Sequence, residues 1–174
     1  MIVIVIGLPG TGKTTFSKAL AQEIKGLHLN TDIIRDQLNL RGQYDRATKL
    51  LIYKTMMERA AAAIKKNMHV VLDGTFYKQQ LRDDYLTFAE KHQVPLKWIE
   101  LKATEAAVRE RVETKRVYSE ADYQVYLKVK KLFEPMCKDC LELWNEKATP
   151  IKPLINQALD YIGLKTTGEN KETA

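Results

Sequence analysis

Apolar and polar positions along the chain alternate between two periods. The opening run, Met1-Ile-Val-Ile-Val-Ile6, is continuously apolar and β-branched, the pattern of a strand buried on both faces of a parallel sheet. A glycine-rich turn follows, and from Thr14 to Ile24 the residues Phe16, Ala19, Leu20 and Ile24 recur at helical spacing until Gly26. Leu27 to Asn30 predicts a second strand and 33–40 a short helix. Asp45 predicts the cap of a long helix through Lys66 with Leu50, Leu51, Met57, Ala61 and Ile64 on its apolar face, ended by Asn67. His69 to Leu72 reads as a third strand, Lys78 to His92 as a helix, Leu96 to Leu101 as a fourth strand and Glu105 to Thr114 as a helix. Ser119-x-x-Asp122 caps a further helix running to Pro135, and Pro135 to Trp144 also reads as helical.

Strands alternating with helices predict an α/β fold, a mostly parallel sheet with helices on both faces. Composition agrees. The 174 residues are 45% hydrophobic and 29% charged, which excludes global disorder, collagen-like repeats and a multi-span membrane protein. One domain over 1–162 is expected, with a mobile polar tail at 163–174. The apolar opening run is too short to span a membrane and lacks a basic leader, so a cytoplasmic location is the default. Cys137 and Cys140 make no disulfide framework, and His28, His69 and His92 are too scattered to complete a metal site with them. The pair is expected as two reduced thiols on a helix. No obligate protein partner is evident. The net charge of +6 favours acidic partners such as nucleotides or nucleic acid.

Between the first strand and the first helix, Gly7, Leu8, Pro9, Gly10, Thr11, Gly12, Lys13 and Thr14 match G-x-x-x-x-G-K-[ST] in full. Phosphate oxygens must approach the main chain closely, which glycines permit, and backbone N–H groups at a helix N-terminus form a concave anion nest. Lys13 is assigned to the β- and γ-phosphates of ATP, Thr14 to Mg²⁺, and Thr15 to a secondary contact. The spacing disfavours a dinucleotide fingerprint.

Asp32, just after the second strand, belongs at the carboxyl end of the sheet beside this loop. A carboxylate there orients an acceptor hydroxyl and takes its proton, and Arg35, one turn on, clamps an acceptor phosphate or developing charge. The alternative role for Asp32 is the N-cap of the short helix. Asp73 ends an apolar strand, the form of a Mg²⁺-holding carboxylate. Arginines and lysines at 109–116, among them Arg111, Lys115 and Arg116, are expected on a lid over about 109–122, with Arg82 a further candidate. Arg35, Arg41, Arg46 and Lys49, interleaved with Tyr44, read as a phosphate-gripping, base-stacking stretch, the alternative being a solvated helix face.

Taken together, Gly7 to Thr14, Asn30-Thr-Asp-x-x-Arg35, Leu72-Asp-Gly-Thr75 and the basic lid resemble the P-loop kinases with an AAA-type ATP-binding domain, in particular the 5′-hydroxyl polynucleotide kinase domain. The resemblance covers roughly residues 1–135. It implies a three-layer P-loop NTPase sandwich with a small helical lid. It also implies an ATP- and Mg²⁺-dependent phosphotransferase, in which a residue like Asp32 acts on the acceptor hydroxyl and one like Arg35 contacts its phosphate. The lid arginine would fall at Lys115 or Arg116, where this chain departs from the usual spacing by offering Lys115. Adenylylsulfate, shikimate and gluconate kinases share the scaffold, so the acceptor is first a nucleic-acid or nucleotide 5′-hydroxyl and alternatively a small metabolite, with a non-catalytic nucleotide-binding switch as the remaining reading.

Overall fold

A computed structural model describes residues 1–113, 122–136, 139–146 and 149–164. Among these residues β1 (Ile2–Ile6), β2 (Leu27–Asn30), β3 (Val70–Asp73), β4 (Leu96–Lys102) and β5 (Cys140–Trp144) form one all-parallel sheet in the order β2-β3-β1-β4-β5. The helices are α1 (Lys13–Glu23), α2 (Thr31–Gln37), α3 (Arg46–Ile64), α4 (Gln79–Lys91), α5 (Glu105–Glu113), α6 (Tyr123–Leu132) and α7 (Ile151–Ile162). This is the expected three-layer architecture.

The opening run owes its uniform hydrophobicity to its place in the middle of the sheet. Ile2, Ile4 and Ile6 join Ile52, Met56 and Ala60 of α3 in one core. Val3 and Val5 join Phe16 and Leu20 of α1 and Leu154 and Ala158 of α7 in the other. Each buried isoleucine contributes about 2 kcal/mol of apolar transfer free energy, so β1 anchors both layers. In register, Val5 and Asn30 both lie beside Asp73. The carboxyl ends of β1, β2 and β3 therefore converge, the position at which open α/β sheets bind ligands.

Four local expectations are corrected. The described residues of the stretch from Pro135 to Trp144 are not helical: Cys140 opens β5, which pairs with β4 from Trp98↔Cys140 to Lys102↔Trp144. Leu141 and Leu143 face the α1/α7 core, and Lys102 Nζ on β4 reaches Glu142 Oε1 at 2.7 Å. Pairing with β4 overrides a local signal only five residues long. Cys140 is thus a strand residue, and Cys137 lies outside the described residues, as do Ser119 and 165–174 of the expected tail. The buried stripe of α3 is Thr48, Ile52, Met56, Ala60 and Ala63, while Leu50 and Leu51 are exposed. Spaced four, four, four and three apart, these residues share the one face of α3 turned to β2 and β3, and Leu50 and Leu51 fall off that face. After α1, Lys25 takes the left-handed φ of +49°, and Gly26 is needed because a Cβ there would sit 2.9 Å from the His69 carbonyl oxygen. Finally, α6 stops at Leu132, three residues before Pro135.

Candidate active site at the carboxyl edge of the sheet

Gly12, at φ +94°, is the N-cap of α1, which has no side-chain cap hydrogen bond. The first-turn N–H groups of α1 and the helix dipole there favour an anion. Lys13 Nζ donates to Leu8 O at 2.9 Å, so its ammonium lies over the loop. Gly10, at φ +86°, is roofed by α5: a Cβ there would come within 2.8 Å of Val108 and 2.9 Å of Val112. The glycines thus admit the neighbouring element as well as an anion. Asn145 Nδ2, just past β5, donates to Thr11 O at 2.8 Å, and Arg111 Nη1 of α5 donates to the same oxygen at 3.4 Å.

Asn30 links three elements. Its Oδ1 accepts from the N–H groups of Asp32 (2.8 Å) and Ile33 (2.9 Å), capping α2. Its Nδ2 donates to Thr14 Oγ1 at 3.2 Å and to Asp73 Oδ2 at 2.5 Å. Asn30, not Asp32, is therefore the cap, and Asp32 stands in the first turn of α2 on the cavity wall. His28 Nε2 lies 3.4 Å from the same Asp73 oxygen.

The second carboxylate oxygen of Asp73 is buried and has no hydrogen-bond partner. A buried carboxylate oxygen left unmatched is costly unless a cation meets it, and the Thr14 hydroxyl is held nearby through Asn30. This donor set suits Mg²⁺, which keeps most of its waters and takes one or two protein oxygens together with phosphate oxygens. The described residues hold no group of three or more His, Cys, Asp or Glu side chains placed for a metal ion, so an all-protein cage is not formed there.

A cavity of about 850 Å³ runs from the loop to α3 and α6. Pro9, Gly10, Gly12, Lys13, Thr14 and Thr15 line one end, with Arg111, Asn145, Glu146 and Thr149. Asp32, Arg35, Tyr44, Lys49, Tyr53 and Tyr77 line the other, faced by Val125, Lys128, Val129 and Leu132 of α6. Arg35 is 6% exposed, donates through Nη1 to Gln43 O at 3.2 Å and stacks 4.5 Å over the Tyr44 ring. Its buried Nε–H has no partner. Lys49 lies 5.6 Å from the Tyr77 ring centre, whereas Arg41 is paired with Asp36 at 2.6 Å outside the cavity.

The structure thus gathers Lys13, Thr14, Thr15, Asp32, Arg35, Asp73 and Arg111 around one cavity. Lys115 and Arg116 lie outside the described residues. Arg82 is corrected: it is buried and donates to the carbonyls of Phe76, Glu134 and Pro135 at 2.9–3.2 Å, tying the chain after α6 to the turn after β3. The bridging role of Asn30 and the places of Tyr53, Lys128 and Asn145 on the cavity wall were not read from the sequence. Only Asn30 had a signal, a capping residue immediately before Asp32.

The family model described as an AAA domain matches residues 2–136. A curated relative, the L-seryl-tRNA(Sec) kinase of Methanococcus maripaludis, is 29% identical over 108 residues, covering 59% of this chain and 41% of that protein. The chain spans less than half the length of the curated relatives it matches. Among solved structures, a gluconokinase from Sinorhizobium meliloti superposes with TM-score 0.72 at 17% identity, over 92% of this chain and 90% of the other. The adenylylsulfate (APS) kinase CysC of Mycobacterium tuberculosis, in complex with AMPPNP and APS, gives 0.71 at 15% identity over 93% and 96%. The strand order, the loop between β1 and α1 and the family match agree: this chain belongs to the AAA domain family and has the fold of the small P-loop kinases.

Proposed function

We propose that the protein is an ATP-dependent phosphotransferase that moves the γ-phosphoryl group of ATP to a hydroxyl of an acceptor, preferentially the 5′-hydroxyl of a nucleotide or nucleic acid. One observation carries the reading: Asn30 bonds the loop threonine Thr14 and the strand-end carboxylate Asp73 while presenting Asp32 to the same cavity. A nucleotide-binding switch needs the first two of these groups and has no use for the third.

In this reading the acceptor hydroxyl donates its proton to Asp32 as its oxygen bonds to the γ-phosphorus, and the bond to the β–γ bridging oxygen breaks to release ADP. Lys13 meets the β- and γ-phosphates, and Arg111, held at Thr11 O, reaches the same end of the cavity. Thr14 and Asp73 hold Mg²⁺, which when bound neutralises charge on the phosphates. Arg35 supports an acceptor that bears its own anion, because a buried guanidinium with an unmatched N–H calls for a counter-charge. Tyr44 and Tyr77 line the same cavity, an aromatic wall against which a base can pack. The Methanococcus maripaludis relative is by name an L-seryl-tRNA(Sec) kinase, which supports an acceptor carried on a nucleic acid without pointing to its 5′-hydroxyl.

A small-metabolite acceptor is the second reading, favoured by one cavity of about 850 Å³ for both substrates. The deciding experiment follows labelled γ-phosphate from ATP to a 5′-hydroxyl oligonucleotide, a nucleoside 3′-monophosphate, gluconate and adenylylsulfate. Transfer to the first two supports the preferred acceptor, labelling of the others alone replaces it with the metabolite reading, and transfer to none removes the kinase reading.

A further inference from the structure

The acceptor end of the cavity contains a hydrogen-bond donor that the proposed chemistry has not used. Tyr53 lies on α3 and lines the cavity with Asp32 and Arg35. Its ring is locked: it tilts against Phe76 at 5.1 Å and meets Tyr85 edge-on at 6.4 Å, while Tyr85 Oη donates to the Tyr53 carbonyl at 2.9 Å. The hydroxyl oxygen accepts the Phe76 N–H at 3.3 Å. That approach is fixed by an unusual backbone, because Phe76 holds φ +45° under the clamp of Arg82 on its carbonyl, with its ring T-shaped against Tyr85 and Trp98. A bulky residue held in the left-handed region costs free energy that the surrounding packing must over-determine, and such positions cluster at working sites.

Since the oxygen is taken by a donor, the phenolic proton is left for the cavity, and no described residue accepts it. Burial first, and the Asp32 carboxylate in addition, push the phenol above its ordinary range, so the proton stays on oxygen at every working pH.

We infer that Tyr53 is an acceptor-positioning residue whose O–H donates to the acceptor molecule beside Asp32. A hydroxyl oxygen has two lone pairs. With one taken by Tyr53, the acceptor O–H is steered toward Asp32 and the other lone pair toward the γ-phosphorus. Tyr53 keeps its proton throughout, and the transferred proton goes to Asp32. The inference rests on the proposed phosphotransferase reading.

The test compares wild type, Tyr53→Phe and Tyr85→Phe, using whichever probe of the panel above wild type phosphorylates fastest. Tyr53→Phe keeps the ring and removes the donor, so the acceptor KM rises on the order of fivefold while the KM for ATP is unchanged. Tyr85→Phe loosens the same aromatic cluster without touching the donor, so it lowers the melting temperature and leaves the acceptor KM alone. An unchanged acceptor KM in Tyr53→Phe overturns the inference, as does an equal rise in both variants, which would mark a packing effect. Failure of wild type to phosphorylate any acceptor overturns it together with the parent reading, and is recognised in the wild-type lane before any variant is measured.

Discussion

The two ends of the cavity are built by different means. At the phosphate end, an eight-residue loop, a helix N-terminus and one asparagine bridge do the holding, largely through main-chain groups fixed by β1 and α1. At the other end, proposed to take the acceptor, the walls come from α2, the Tyr44 turn, α3, Tyr77 and α6, segments spread over about a hundred residues and held by stacked rings and a buried arginine. A phosphate chain has fixed geometry and charge, so short-range sequence suffices to bind it. An acceptor varies in shape, and the walls that select it are set by packing between distant elements.

Three substitutions separate the ends, and a fourth probes the sheet away from both. Lys13→Ala removes the ammonium that serves every acceptor, so transfer falls by about 10³-fold with all probes alike. Retained activity in a labelled-ATP assay would refute the loop assignment. Asp32→Asn acts at the other end. Transfer drops on the order of 10²-fold for a lost general base, while ATP affinity measured by calorimetry is retained. Parallel loss of ATP affinity would erase the distinction between the two ends.

Arg82→Ala removes the clamp between the Phe76 turn and the segment after α6. Three carbonyls lose their donor, so stability drops by roughly 3 kcal/mol in denaturant melts, and the acceptor KM rises while the ATP KM holds. The smallest effect is expected far from both ends, at Glu100 on β4. Burial raises its carboxyl above the ordinary range, against the lowering pull of Lys102. The folded state therefore binds its proton more tightly than the unfolded chain, and Glu100 weakens the fold as pH rises from about 4.5 through the raised folded value. Glu100→Gln abolishes this titration, so in denaturant melts across pH the variant is slightly more stable near neutrality and shows a flatter stability profile above pH 4.5. A loss at neutral pH would show that the Lys102 contact outweighs burial.

Much of the phosphate end was legible because its determinants are contiguous. Gly10, Gly12 and Lys13 lie at one strand-to-helix junction, and Asp73 ends a strand whose register against β1 follows from a parallel sheet. Asp45 likewise caps α3, as its spacing predicted, by accepting from Thr48 N at 3.0 Å. The acceptor end was legible only in part. Asp32 and Arg35 stand out by their spacing, but Tyr53 reads as one more residue of a long helix, and Arg82 reads as a lid cation until its carbonyl partners are seen. Nothing local distinguishes an arginine that binds substrate from one that binds main chain.

By itself the sequence determined the layered α/β plan, the phosphate loop and the carboxylates at the sheet's edge, because strand burial, helical periodicity and the glycine-lysine loop are short-range properties of the chain. The fifth strand, the outward turn of Leu50 and Leu51, the bridge from Thr14 through Asn30 to Asp73 and the tyrosine-lined wall were decided only by tertiary structure. Each depends on which surface a residue meets across the fold, and that meeting is fixed by close packing between elements far apart in the chain.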